Sequence, residues 1–318
     1  MNADPPKGPS FIDYRARLQR LFAEVYQLRS LSLADTSPEM KMGSLLASGI
    51  SNHRFQLSEL SISLSPELSG LLASQPSLRR LVLHNPFGDI DPSHLQHLHP
   101  DSLPHLDAVS AHPTLLPILL KQRCARYVAA VPLRGIEEVN LLWDAIREAR
   151  MPPSSLTVAP DSPITFRAFM DGVVTYLPEL RFLGVACMSI LWAKRQPPPI
   201  AADLIPLRRL AKLEAIQWSG RFLTGNSGYP PIHLLPQEWH PSSYAGPALC
   251  YVQHEMEYSA VVRDPQKEEG YWKRPDLERD GWEVCNTEFS IPRLDIYSAQ
   301  GLLVCLIHLR LTPYILQP

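Results

Sequence analysis

A leucine pattern of the form Leu-x-x-Leu-x-(Leu/Ile) returns along this chain. It reads Leu28-Arg29-Ser30-Leu31-Ser32-Leu33, then Leu57-Ser58-Glu59-Leu60-Ser61-Ile62, then Leu78-Arg79-Arg80-Leu81-Val82-Leu83. Each copy follows a stretch that reads as a short helix. A helix with one apolar stripe and so short a strand closes no core alone. Stacked neighbours do, with the strands running parallel on one face. Alternation along the strand turns Leu78, Leu81 and Leu83 inward and Arg79, Arg80 and Val82 outward. The interval between copies runs from 21 residues (Leu57 to Leu78) to 29 (Leu28 to Leu57), so the expected stack is irregular.

The helix starts share a device. Ser37-Pro38, Ser65-Pro66, Asp91-Pro92 and Ser162-Pro163 each set a capping side chain before a proline. The Ser or Asp oxygen accepts from the free N–H groups of the first turn, where Pro loses nothing by lacking one. Glu39 and Glu67 follow two of these prolines, and negative charge suits a helix N-terminus. Leu68, Leu71 and Leu72 form a stripe that the strand at 78–83 covers. Upstream, Leu18, Leu21, Phe22 and Val25 predict a helix over 11–27, with Arg15, Arg17 and Arg20 on its solvated side.

Weaker copies follow. Leu103-Pro104-His105-Leu106-Asp107-Ala108-Val109 fits the pattern, as do the segments at 178–185 and 213–218. Residues 126–131 and 155–159 read as strands, 114–120 as a short buried helix and 163–177 as a longer one. Ile136, Val139, Leu142, Trp143 and Ile146 predict an amphipathic helix stopped by Pro152-Pro153. Thr224–Pro247, rich in Gly, Pro, Ser and Asn, predicts a long loop. Leu249–His254 reads as a last repeat strand. Tyr271-Trp272-Lys273-Arg274 and Gly281-Trp282-Glu283-Val284 then predict a hairpin that shields the open end of the stack.

The expected fold class is therefore α/β: an irregular leucine-rich-repeat solenoid with a C-terminal capping hairpin. Its organisation is a flexible leader over 1–10, the solenoid over 11–223 and a loop over 224–247. A final strand and cap over 248–285 and a tail of unassigned structure over 286–318 complete it.

Bulk properties set limits. Hydrophobic residues make up 45% of the 318 and charged residues 19%, enough to bury a large core. A formal net charge of -2 supplies no concentrated positive surface for nucleic acid or a membrane. Cys124, Cys187, Cys250, Cys285 and Cys305 stand singly, and none forms a Cys-x-x-Cys pair. Reduced thiols in a cytoplasmic or nuclear protein are the expectation. The start, Met1-Asn2-Ala3-Asp4, carries no basic-then-apolar secretion signal, and the apolar run near 301–307 is far short of the ~20 residues a membrane span needs.

His94, His97, His99, His105 and His112 cluster, yet Pro100 and Pro104 interrupt them, so they read as loop histidines and not as metal ligands. No Gly-x-Ser-x-Gly elbow and no phosphate-cradling glycine loop occurs. Cys124 lies among Lys121, Arg123 and Arg126 without a paired His or Asn motif. Glu137-Glu138 and Glu268-Glu269 are sequence neighbours, which do not face one another, and read as solvated. The aromatic–basic set at 271–274 reads as a packed cap. No cofactor, metal or enzymatic activity is expected.

Over about residues 12–285 the repeats resemble the leucine-rich-repeat region of F-box-type proteins of mushroom-forming fungi. The resemblance is carried by Leu78–Leu83 after Gln75-Pro76, by Leu103-Pro104-His105-Leu106, by Tyr176–Leu183, and by Trp272 and Trp282 around a basic turn. It implies a substrate-receptor role: an F-box docks on the adaptor of a cullin-based ubiquitin ligase while the repeats hold a target. The Leu-Pro-x-Glu start of an F-box does not occur near this N-terminus, so adaptor binding is expected only if an F-box lies outside the chain. The alternative is a free-standing scaffold unconnected to a ligase. Either role predicts a protein partner on the concave strand face, touching Arg29, Ser58, Glu59, Arg79, Arg80, His105, Glu179, Arg181 and Glu214.

Overall fold

The same backbone hydrogen bonds open one strand after another. The computed structural model describes residues 28–33, 55–66, 68–84, 90–187, 204–224, 246–249, 251–260, 265–273 and 283–285. In it, the residue just before a strand offers its carbonyl to two successive N–H groups of the next repeat. Arg29 accepts from Ser58 and Glu59 at 2.7 and 3.0 Å, and Ser58 accepts from Arg79 and Arg80 at 2.8 and 3.0 Å. Further along, Arg126 serves Ser154 and Ser155, Ser154 serves Arg181 and Phe182, and Arg181 serves Glu214 and Ala215. These carbonyls belong to what is called here the entry residue of each repeat.

The sequence around an entry residue obeys one rule. The residue before it is apolar and buried (Leu28, Leu57, Leu78, Leu106, Ala125, Leu180, Leu213), and so are the residues two and four after it. Leu31 with Leu33, Leu60 with Ile62, Val128 with Ala130, Leu156 with Val158, and Leu183 with Val185 fill those places. Preceding it is a turn closed by an i+3 N–H to i carbonyl bond, as in Leu78 to Gln75, Leu106 to Leu103, Leu180 to Leu177 and Leu213 to Leu210. Pro76, Pro104 and Pro178 stand second in these turns, where their fixed φ is already the right one. Leu-Pro-x-Leu is thus a turn. The copy read at 103–109 shifts by three residues: its strand is Ala108–Ala111, and Leu106 takes the place of the first leucine.

The chain divides into two units, residues 1–106 with 297–318, and residues 107–296. In the first, strands β1 (Ser30–Leu33), β2 (Glu59–Ser63) and β3 (Arg80–His84) pair in parallel. Helix α1 (Leu68–Ala73) joins β2 to β3 and buries Leu68, Leu71 and Leu72. Two short 3-10 turns follow at Pro92–Leu95 and Pro100–Ser102.

In the second unit β4 (Ala108–Ala111), β5 (Tyr127–Leu133), β6 (Ser155–Pro160), β7 (Phe182–Cys187), β8 (Ala215–Thr224) and β9 (Tyr251–Ala260) run parallel in sequence order. Helices α2 (Leu116–Leu120), α3 (Gly135–Glu148) and α4 (Pro163–Tyr176) and a 3-10 turn at Ile205–Arg209 fill the intervals. The chain then reverses. β10 (Pro265–Lys273) pairs antiparallel with β9, and β11 (Glu283–Cys285) antiparallel with β10. This is an α/β fold of parallel strands alternating with helices.

The α3–α4 interface is the most specific packing of the second unit. Trp143, 4% exposed, stacks between Phe169 and Tyr176 at centroid distances of 5.3 and 5.1 Å. Gly172 lies beneath the indole: a Cβ there would stand 2.4 Å from Trp143 Nε1. The Arg147 guanidinium lies over the Tyr176 ring, 5.8 Å from its centroid. Arg123, buried at 3% exposure, donates to the carbonyls of Ile118 and Leu119 and so satisfies the C-terminal end of α2.

Ile136 belongs by spacing to the apolar stripe of α3 but is 51% exposed. Val82 occupies an outward position yet is 6% exposed. Ser65 does not cap its helix: its hydroxyl is buried with no partner among the described residues, and its carbonyl accepts from Leu68. Ser162 does cap α4, accepting from Thr165 N at 3.2 Å, and Asp91 caps its 3-10 turn, accepting from Ser93 N at 2.9 Å. The leader, the helix over 11–27, the cap at Ser37, residues 225–245 of the loop expected over 224–247, and the tail over 286–318 lie outside the described residues, and Thr224 ends β8 instead of opening a loop.

Candidate functional site

The face of the second unit's sheet turned away from the helices carries three rows set by register. Entry residues form the first: Asp107, Arg126, Ser154, Arg181 and Glu214. The next residues form the second: Ala108, Tyr127, Ser155, Phe182 and Ala215. Two residues further lie Ser110, Ala129, Thr157, Gly184 and Gln217. The first two rows are near mirror images about Ser154 and Ser155. An aromatic ring stands on each side, an arginine beside each ring, and an acid beyond each arginine.

The geometry follows from small residues in between. Tyr127 and Phe182 are two rungs apart, about 10 Å at ~4.8 Å per rung. Both are half-buried, while Ser155 between them is 7% exposed. Gly184 packs closely on its neighbour strand: a Cβ there would come within 2.7 Å of Thr157 Oγ1. Tyr127 and Phe182 therefore stand on either side of Ser155, with Arg126 and Arg181 preceding them in the chain. The Arg126 guanidinium sits 5.6 Å from the Tyr127 centroid. It forks onto Asp107, with Nε to Oδ1 at 2.5 Å and Nη2 to Oδ2 at 2.8 Å. That bond raises the Arg126 pKa and keeps the cation fixed beside the ring. Arg181 Nε donates to Glu214 Oε1 at 2.9 Å.

The residues expected to touch a partner fall into different places. Arg181 and Glu214 are entry residues and pair with one another across the rung. Glu179 pairs with Lys212, and both stand in the turns, not on strands. His105 likewise lies in a turn and is exposed. In the first unit Arg29 and Arg79 are exposed entry residues, Ser58 donates to the Arg29 carbonyl at 3.0 Å, and Glu59 accepts from Ser30 at 3.0 Å. Arg80 opens β3, half-buried. Tyr127, Phe182 and Arg126 were missed by sequence reasoning. Their repeats begin with Ala125, Leu180 and Ala125 respectively, and only the strand register brings them into one row.

His99 and His112 precede prolines and act as helix caps, each accepting on Nδ1 from a backbone N–H two residues on, at 3.3 Å. Acceptance on Nδ1 leaves Nε2 of His112 to carry the hydrogen toward Glu138 Oε1, 3.2 Å away. Glu138 also accepts from Arg134 N at 2.5 Å, so of the pair at 137–138 only Glu137 is solvated. Ser61 Oγ and His84 Nε2 are 2.6 Å apart, the spacing of a nucleophile and its base. Burial pushes the His84 pKa down to about 4, and its Nδ1 is buried with no partner among the described residues. A base so weak, with nothing to orient it, is poorly matched to proton abstraction near neutrality. Among the described residues no group of three or more His, Cys, Asp or Glu is placed to hold a metal, and no helix is long and apolar enough to cross a membrane.

No protein-family model matches the sequence, and no curated protein is significantly similar to it.

Proposed function

We propose that this chain is an irregular leucine-rich-repeat solenoid that works as a protein-binding module, and not as an enzyme. The partner lies across the strand face opposite the helices, and the antiparallel strands β9–β11 cap the stack. The observation that carries the reading is the row Ala108–Tyr127–Ser155–Phe182–Ala215 with Arg126 and Arg181 beside it. Aromatic and arginine side chains around a small-residue floor are the composition of binding hot spots. Two rings about 10 Å apart admit one partner side chain between them.

The charged entry residues serve differently. Arg126–Asp107 and Arg181–Glu214 neutralise one another, so they contribute little net charge to recognition. A role as substrate receptor of a cullin-based ubiquitin ligase rests on the resemblance to F-box-type proteins alone.

The test is affinity capture from cells of the source organism with the full chain and with the Tyr127→Ala/Phe182→Ala variant, read by mass spectrometry. Proteins enriched by the full chain and lost with the variant support the binding face. Recovery of the cullin adaptor with them supports the receptor role. Identical recoveries for chain and variant would remove this row from consideration.

A further inference from the structure

Among the described residues of the second unit, the buried polar side chains divide into two sets. His112, Arg123 and Thr165 are bonded within the protein: His112 to Thr114 N and Glu138, Arg123 to the carbonyls of Ile118 and Leu119, and Thr165 to Asp161. Ser110, Ser155 and Thr157, at 7%, 7% and 6% exposure, are not. Their hydroxyls have no hydrogen-bond partner among the described residues. A buried hydroxyl left unpaired costs free energy, and native structures mostly avoid it.

The three share one face. Thr157 lies between Leu156 and Val158, both at 0% exposure, so alternation turns it away from the helices. Ser155 follows by the same alternation, and Ser110 lies between the buried Val109 and Ala111. Register sets Ser155 between Tyr127 and Phe182, and sets Thr157 beside Gly184 and, through Ala129, two rungs from Ser110. Ser155 and Thr157 stand roughly 7 Å apart along β6, with Ser110 about 10 Å from Thr157 across the sheet. Unlike Ser65 Oγ, their oxygens are not sealed from the surface.

The chemistry of an occupant follows. An apolar group laid here would leave the hydroxyls unpaired. A charged group would lose its water and find no free counter-charge, since Arg126 is held by Asp107 and Arg181 by Glu214. A neutral group that both donates and accepts satisfies the hydroxyls without either cost. A carboxamide does both from one planar end, and Ser155 and Thr157 are spaced for one of them to donate to its oxygen and the other to accept from its nitrogen.

Given a partner on the strand face, we propose that it inserts an Asn or Gln side chain between Tyr127 and Phe182, with the carboxamide held by the hydroxyls of Ser155 and Thr157. The face thereby selects an uncharged polar segment over acidic, basic or purely apolar ones. This rests on the strand face being the binding surface and names what that surface takes.

The experiment selects from a phage-displayed library of random peptides on the full chain and follows the retained peptides by fluorescence anisotropy. They share an Asn or Gln at one position, and exchanging it for Leu, Glu or Lys weakens binding to the unaltered chain about tenfold. Ser155→Ala/Thr157→Val brings the Gln and Leu forms to equal affinity, and Tyr127→Ala/Phe182→Ala abolishes binding of both. The exchange within the peptide needs no altered protein, so a variant that fails to fold does not blunt the test. Peptides lost with Tyr127→Ala/Phe182→Ala but carrying a charged or apolar residue at that position overturn the carboxamide and leave the strand face standing. So does a Gln preference that survives Ser155→Ala/Thr157→Val, and so does an empty selection. Peptides indifferent to Tyr127→Ala/Phe182→Ala overturn the strand face as well.

Discussion

Replacing Gly172 by alanine should destabilise the protein, although the same change in an exposed helix stabilises. Gly172 lies in the interior of α4, where alanine gains about 1 kcal/mol over glycine from helix propensity. Against that, the added methyl would meet Trp143 Nε1 at 2.4 Å, Cε2 at 2.5 Å and Cζ2 at 2.9 Å. The indole cannot swing clear, because Phe169 and Tyr176 stack on it at 15° and 19° to its plane. Overpacking of this kind costs about 1–3 kcal/mol, and partial loss of two ring contacts adds ~0.5–1.5 kcal/mol each. The balance is a net loss of about 3 kcal/mol. Urea unfolding followed by tryptophan fluorescence measures it, with Gly70→Ala as the opposed control. A Cβ at Gly70 in α1 meets nothing within 4 Å, so that substitution should stabilise by ~0.5–1 kcal/mol. In a Trp143→Leu background the Gly172→Ala penalty should largely vanish, as coupled sites require. If Gly172→Ala stabilised the chain as Gly70→Ala does, the tight approach of α4 to the indole would be wrong.

Two further outcomes follow from buried or capping groups. His84 takes a proton at about 4 in the folded chain and near 6.5 when unfolded, so the unfolded state binds more protons between those values and stability falls as pH falls through them. The loss reaches about 3 kcal/mol by pH 4 at ~1.4 kcal/mol per pH unit, and His84→Gln should flatten that part of a stability–pH curve measured by urea unfolding. Ser162→Ala removes the acceptor of Thr165 N and should cost about 1 kcal/mol, whereas Ser65→Ala, whose hydroxyl has no described partner, should cost less or stabilise; thermal unfolding distinguishes them.

The inward half of the fold was legible because burial acts on each residue directly. Leu31, Leu33, Leu60, Ile62, Leu81 and Leu83 announce their side of the strand by type and spacing alone. Where the same place is filled by Ala130 or preceded by Ala125 or Pro153, the strand survives but its frame does not show. The repeat at 103–109 is legible only to within three residues, since Leu103 and Leu106 are both buried and spacing alone does not say which precedes the strand. Histidine capping was hidden for a chemical reason: an imidazole Nδ1 accepts as a carboxylate does, but only in one tautomer, so type alone does not predict it. The outward rows were least legible. Tyr127 and Phe182 become neighbours through Ser155 only after two registers are fixed, and no local signal along the chain fixes them.

The doubly used carbonyls of Arg29, Ser58, Arg126, Ser154 and Arg181 have a consequence for how such a chain tolerates change. They clamp the frame where the next strand starts and leave the remainder of the repeat unconstrained in length. Entry residues joined in this way accordingly lie 28 apart at Arg126–Ser154 and 33 apart at Arg181–Glu214, with the same pair of bonds at each, while Asp107, 19 before Arg126, accepts from Tyr127 N alone. A one-residue slip would turn every outward side chain inward, and the clamp forbids it at a point where two hydrogen bonds would be lost together. Residues can therefore be gained or lost between a strand's end and the following turn while the outward rows keep their order, so that diversity accumulates at one margin of the sheet and recognition chemistry is held in frame at the other.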